Sequence, residues 1–98
     1  MERSGATELR LIRHAPALNG GRLCGRTDVD ADCSDQRILD TVRRKVGTPN
    51  RLVISPALRC RQTVSALWGD CLHDLDHRLW EQDFGGWEGL PYADLPDL

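Results

Sequence analysis

Leu9-Arg10-Leu11-Ile12-Arg13-His14-Ala15 is the stretch whose reading decides the fold. Leu9, Leu11 and Ile12 make an apolar run too short for a helix, and Ala15-Pro16 stops it. The run therefore predicts a short β-strand that delivers Arg13 and His14 to its carboxyl end. In an open α/β sheet, ligands bind just beyond the carboxyl ends of the strands. A guanidinium beside an imidazole at that place suits an anion, above all a phosphoryl group. Alone, the heptapeptide reads more simply as an ordinary strand with a surface histidine, and the rest of the chain has to decide.

Further along, Asn19-Gly20-Gly21 and Gly25 predict a flexible loop that carries Arg22 and Arg26 and runs to Asp32. Its glycines would let backbone N–H groups come close to an anion. Ser34 is a good N-cap, and Ile38, Leu39, Val42 and Val46 recur at helical spacing after it. Gly47 and Pro49 end that helix, which is expected over residues 35–46 with Arg37, Asp40, Arg43 and Arg44 in solvent. Leu52-Val53-Ile54 is a second strand, apolar throughout, as a strand covered on both faces would be. Ser55 and Pro56 then open a second helix, expected to run to Trp68, to bury Cys60, Val64, Leu67 and Trp68, and to stop at Gly69. Cys71–Leu75 reads as a third strand. From Asp76 to Leu98 no regular element is predicted, only aromatic and acidic residues punctuated by glycine and proline.

The order strand, helix, strand, helix, strand is a βαβαβ unit, hence a parallel sheet with right-handed crossovers. Such a sheet brings Arg13 and His14, the turn from Ser55 to Arg59 and the loop after Leu75 to one edge.

Bulk properties narrow the function. With 98 residues the chain is at most one small domain. A net charge of −2 argues against a general nucleic-acid binder. Of the 13 basic residues all but Lys45 are arginine, the residue anion clamps are made of. Neither a membrane-length apolar run nor the apolar stretch of a secretory signal is present, so the expected location is the cytoplasm. Cys24, Cys33, Cys60 and Cys71 form no C-x-x-C pair and have no histidine at zinc-finger spacing. No metal or other cofactor is expected, and no disulfide. Cys60 and Cys71 read as buried, Cys24 as a loop residue.

Three segments, each after a predicted strand, carry the chemistry. They are Arg13-His14, Ser55 through Thr63 (Ser-Pro-Ala-Leu-Arg-Cys-Arg-Gln-Thr), and Leu79 through Gly89 (Leu-Trp-Glu-Gln-Asp-Phe-Gly-Gly-Trp-Glu-Gly). In this order the three resemble the histidine phosphatase superfamily, the phosphoglycerate mutase-like fold. The family's opening Arg-His-Gly has Ala15 as its third residue here, and in the second motif Leu58 and Arg59 stand one place closer than in many members. The segment Cys24–Asp28 and the Trp87-Glu88-Gly89 ending look most like the alpha-ribazole phosphatase-like branch.

The resemblance implies a three-layer α/β/α domain with a mostly parallel sheet. It makes His14 the nucleophile that forms a phosphohistidine, and gives Arg13 and Arg59 the phosphoryl oxygens to hold. Glu81 would protonate the leaving oxygen and then activate water. Asn19 and the Gly25 backbone would add phosphate donors, with Arg61 as a second candidate clamp. Glu88 would be a hydrogen-bond partner within its turn; Trp80, Phe84 and Trp87 would pack, and His73 and His77 would lie on the surface. The implied activity is hydrolysis of a small phosphorylated metabolite, an alpha-ribazole 5′-phosphate-like ester among them. A mutase moving phosphate between hydroxyls is less favoured, because the short loops would enclose an intermediate poorly.

The resemblance has a limit. The family's second catalytic histidine, in a Ser-His-Gly-type motif, has no counterpart here, and the chain covers about the N-terminal half of the family domain. Residues 1–7 and 90–98 are expected to be loosely ordered. A strand missing between the first two would leave unpaired edges open to self-association. The alternative reading is therefore a non-catalytic, phosphate-binding remnant.

Overall fold

A computed structural model of the chain describes residues 7–95. Its regular elements are helix α1 (Gln36–Val46), strand β1 (Val53–Ile54), helix α2 (Leu58–Trp68) and strand β2 (Asp74–Leu75), followed by three 3₁₀ turns. β1 and β2 pair in parallel, Val53 opposite Asp74 and Ile54 opposite Leu75. The result is a small α/β fold built on a two-stranded parallel sheet, with α1 and α2 packed on one another.

α1 starts one residue later than the sequence suggests. The Asp35 carboxylate caps it, accepting from the N–H groups of Arg37 (3.1 Å) and Ile38 (3.3 Å). Ser34 is drawn away, because its N–H and hydroxyl both donate to Asp32. Gly47, at φ 68°, ends the helix as expected. Arg43 is not the solvated charge the pattern implied. Its Nε donates to the Leu67 carbonyl at 2.7 Å and its Nη2 to that of Ala66 at 3.3 Å, so it caps the carboxyl end of α2. Trp68 Nε1 donates to the Gly47 carbonyl and ties the two helix ends together.

α2 starts at Leu58, two residues after Pro56, and turns a different face inward. Arg59, Thr63 and Leu67 are buried; Cys60, Val64 and Trp68 are only partly so. The buried stripe is thus rotated by about one residue from the expected one, with Leu67 common to both. Hydrophobic spacing puts Cys60 inside, but Arg59 finds enough acceptors to be buried in its place. Cys71 is also half-buried rather than enclosed.

The sheet differs most from expectation. The predicted first strand, Leu9–Ile12, makes no backbone hydrogen bond to β1 or to any other described segment. Leu9 and Leu11 are 81% and 88% exposed. An apolar run becomes a strand only where a neighbour accepts its N–H and C=O groups, and here no neighbour lies alongside. The second strand is covered on one face, not two: Ile54 is buried and Val53 is exposed. The third is cut to Asp74–Leu75.

The fully buried apolar residues are Leu39, Ile54, Ala57 and Leu67, a thin core between the helices and β1. The 3₁₀ turns lie at His77–Leu79, Gly85–Trp87 and Tyr92–Asp94, where the sequence offered no regular element. Of the segments expected to be loosely ordered, residues 1–6 and 96–98 lie outside the described residues. No helix among the described residues is long and apolar enough to cross a membrane.

Candidate active site

The loop of residues 19–28 and the loop of residues 81–92 lie side by side and are laced together. Leu23 N–H donates to the Leu90 carbonyl, Gly89 N–H to that of Leu23, and Tyr92 N–H to that of Gly21, all at 2.8–2.9 Å. Side chains continue the lacing, with Asn19 Nδ2 donating to the Tyr92 hydroxyl (3.0 Å) and Arg22 to the Gly89 carbonyl (2.8 Å). Arg26 donates to the Glu81 carbonyl at 2.8 Å and lies 5.7 Å from the centre of the Trp80 ring, a cation–π contact. At Gly25 the loops touch so closely that a Cβ would stand 1.7 Å from the Gln82 carbonyl oxygen. Only glycine fits there.

Between this ribbon and the start of α2 lies an open hollow of about 500 Å³, a size suited to a small ligand. Arg13, His14, Asn19, Arg59 and Glu81 all line it, with Pro16, Ala17, Cys24 and Tyr92 completing the wall. Five of the seven side-chain or backbone candidates named from the sequence and its resemblance thus share one hollow. Gly25 does not line it, and Arg61 lies exposed on α2 outside it.

Arg59 is the centre of the site. Its side chain is 2% exposed, and it donates to the Thr27 carbonyl (3.1 Å), the Gly25 carbonyl (2.8 Å) and the Glu81 carboxylate (2.8 Å). A guanidinium has five N–H donors, so Nε–H and one Nη1–H remain for a ligand. Glu81 is half-exposed, and its Oε2 accepts from Arg59.

His14 is held by its own backbone. Nδ1 lies 2.6 Å from the Ala15 carbonyl oxygen, which can only accept. Assigning the proton by that contact puts it on Nδ1 and leaves the lone pair of neutral imidazole on Nε2. The Ala15 N–H in turn donates to the Thr63 hydroxyl (2.9 Å), and that hydroxyl donates to the Arg59 carbonyl (2.8 Å). Thr63 therefore joins the histidine segment to the turn of α2 that carries Arg59. Gln62 beside it holds the next loop, accepting from Ala31 N–H and donating to Asp30.

The glycine loop does form an anion-binding nest, but its anion is internal. The Glu88 carboxylate accepts from the N–H groups of Gly25, Arg26, Thr27 and Phe84 at 2.9–3.4 Å, and from the Thr27 hydroxyl at 2.5 Å. Desolvation opposes ionisation of Glu88. The Thr27 hydroxyl and the backbone donors of Phe84, Thr27 and Gly25 outweigh it and hold the carboxyl down to about 2. The Gly25 N–H expected to meet phosphate is therefore already engaged.

Tyr92 in the wall is the residue that sequence reasoning missed, whereas Cys24 in the wall and Thr63 beneath it lay in segments singled out from the sequence but were given no role of their own. The one signal for Tyr92 was a hydroxyl-bearing aromatic placed just after the third motif. Cys60 sits partly buried behind the site, and desolvation pushes its thiol pKa up, which keeps the thiol protonated and unreactive. Among the described residues no group of three or more His, Cys, Asp or Glu side chains could hold a metal ion.

The sequence and the fold both match known proteins at the family level. The chain belongs to the histidine phosphatase superfamily (branch 1), whose sequence profile matches residues 9–98. Among solved structures it is similar to phosphoserine phosphatase from Entamoeba histolytica, determined with 3-phosphoglyceric acid. That match has 24% identity and a TM-score of 0.65, and covers 82% of this chain and 42% of that one. It is also similar to a mycobacterial glucosyl-3-phosphoglycerate phosphatase, at 25% identity and TM-score 0.62, over 82% of this chain and 41% of that one. The chain thus spans about two-fifths of the length of these structures. A search of curated protein sequences gave no match.

Proposed function

We propose that this chain hydrolyses a small phosphomonoester through a covalent phosphohistidine on His14. The observation that supports it best is the Nδ1 contact to the Ala15 carbonyl, which in the neutral ring leaves the lone pair on Nε2, with His14 lining a hollow shared with two guanidinium groups and a carboxyl group. In the first step Nε2 attacks phosphorus, the ester P–O bond breaks, and protonated Glu81 gives its proton to the leaving oxygen. Arg13 and the two remaining donors of Arg59 take up the charge on the equatorial oxygens. In the second step Glu81 removes a proton from water, the water oxygen attacks phosphorus, and the P–N bond breaks to release phosphate. The openness of the hollow favours hydrolysis over transfer between hydroxyls.

The finer assignments belong to the same proposal. The Cys24–Asp28 segment and the Trp87-Glu88-Gly89 ending support an alpha-ribazole 5′-phosphate-like ester, and the four free cysteines suit a reducing cytoplasm. The family's three-layer α/β/α arrangement is included.

Turnover of p-nitrophenyl phosphate by the wild type and by His14→Ala tests it. Loss of turnover in the variant, with an acid-labile phosphoryl label on the wild type only, is the expected result. Equal turnover in both overturns the reading. No turnover in either, with inorganic phosphate still bound, supports the non-catalytic remnant.

A further inference from the structure

The Glu88 carboxylate lies outside the hollow, yet it is the most heavily hydrogen-bonded side chain in the region. Its partners are the backbone N–H groups of three consecutive residues, Gly25, Arg26 and Thr27. The carbonyls of two of those residues, Gly25 and Thr27, accept from the buried Arg59 guanidinium. Arg59 then meets Glu81. One short loop thus has its donors gathered by Glu88 and its acceptors aimed at Arg59. A fourth backbone N–H, that of Phe84, anchors the same carboxylate to the loop that carries Glu81.

We propose that Glu88 is the positioning residue of this site, fixing the Arg59 guanidinium and Glu81 relative to one another through the backbone of residues 25–27. The inference rests on reading the hollow as a phosphoryl site. Charge and shape are both needed for this role. A glutamine would turn one oxygen into an amide NH₂ facing backbone N–H donors, so that at least one of Gly25, Arg26, Thr27 or Phe84 loses its partner. The loop would then loosen, and with it the two carbonyls that hold Arg59. The pKa of about 2 fits a carboxylate that stays ionised throughout the working pH range.

The test compares the wild-type chain with Glu88→Gln, and with Leu39→Ala as a variant destabilised in the core away from the ribbon. The direct readout is the side-chain ¹H–¹⁵N NMR signal of Arg59, assigned by its disappearance in Arg59→Lys. In the wild type, rotation of the guanidinium is slowed and its Nη protons are resolved. In folded Glu88→Gln they average to one signal, whereas in Leu39→Ala they stay resolved. The second readout is affinity for inorganic phosphate by titration calorimetry, expected to fall at least tenfold in Glu88→Gln and to hold within twofold in Leu39→Ala. Unchanged Arg59 signals in folded Glu88→Gln overturn the proposal. If Glu88→Gln does not fold, Thr27→Val, which removes only the hydroxyl donor, takes its place. Partial averaging is then expected, and signals identical to the wild type overturn the proposal. A wild type that binds no phosphate refutes the phosphoryl-site reading instead, and the Arg59 signals alone then decide whether Glu88 positions the guanidinium.

Discussion

The ribbon of residues 19–28 and 81–92 and the sheet side of residues 9–14, 52–55 and 72–75 use their groups in opposite ways. The ribbon is largely exposed and contains no long element. Even so, nearly every turn of it donates or accepts a hydrogen bond across the gap, and Glu88, Arg59 and Gly25 close it. The sheet side has the sequence of a core, yet Ile54 is its one buried apolar residue, and Leu9, Leu11, Ile12, Val53, Leu72 and Leu75 are exposed. Order in this chain follows satisfied polar groups more closely than apolar content. A loop can be fixed by partners near in space and distant in sequence, whereas an apolar strand gains nothing until another surface covers it.

The largest break in this contrast should come from Arg59→Ala. It strips partners from the Gly25 and Thr27 carbonyls and from Glu81, and opens a void beneath the hollow. A loss of about 3 kcal/mol in urea unfolding is expected, with phosphate binding abolished. Gly25→Ala forces the two loops apart, because the new methyl would overlap the Gln82 carbonyl. Its expected cost is about 2 kcal/mol, read by the same unfolding curve.

Acid tests the internal anion. Glu88 titrates near 2 when folded against 4.5 for the free group, so its contribution to stability is present above about pH 4.5 and is lost as pH falls towards 2. Asp76, lowered from 3.8 to about 2 by its hydrogen bonds from Arg78, acts in the same window. The informative quantity is therefore the difference: melting temperature should fall less steeply below pH 4.5 in Glu88→Gln than in the wild type.

The smallest effect on stability belongs to the other region. Leu9→Ser with Leu11→Ser should change unfolding free energy by no more than about 0.5 kcal/mol, because both side chains are already in water. We propose that these exposed edges make copies of the chain associate, as unpaired strands do. Size-exclusion elution should shift to larger species with concentration in the wild type and much less in the double variant.

Particular residues show how far the sequence could be read. Ile38 to Val46 with Gly47, and Leu67 with Gly69, mark both helices, because helical spacing and glycine ends are local signals. The exact face of α2 is not local. That Arg59 and not Cys60 points inward depends on carbonyls some thirty residues earlier. Leu9–Ile12 has strand composition, but pairing is a property of the neighbour and cannot be read from the run itself. In the site, Arg13, His14, Arg59 and Glu81 stood out within the three motifs and Asn19 as a loop donor that the resemblance implied, and all five line the hollow. Gly25 stood out too, as a phosphate donor, and its N–H meets the Glu88 carboxylate, since an external phosphate and an internal carboxylate ask the same of a glycine loop. Glu88 looked like a turn residue, and its turn contact to Phe84 is real. Its hold on residues more than sixty positions away left no trace in the spacing.

One contact at the head of α2 has a consequence of its own. Ala57 offers no side-chain cap, and the first amide of the helix, at Leu58, donates instead to Asp28 at 2.6 Å, from the far end of the glycine loop. The helix is thereby fastened by a clasp that belongs to its neighbour, and whatever stiffens the clasp stiffens the helix. Deuterium uptake at the Leu58 amide, a residue outside the lining of the hollow, is then expected to slow when the hollow fills, which makes it a remote gauge of occupancy.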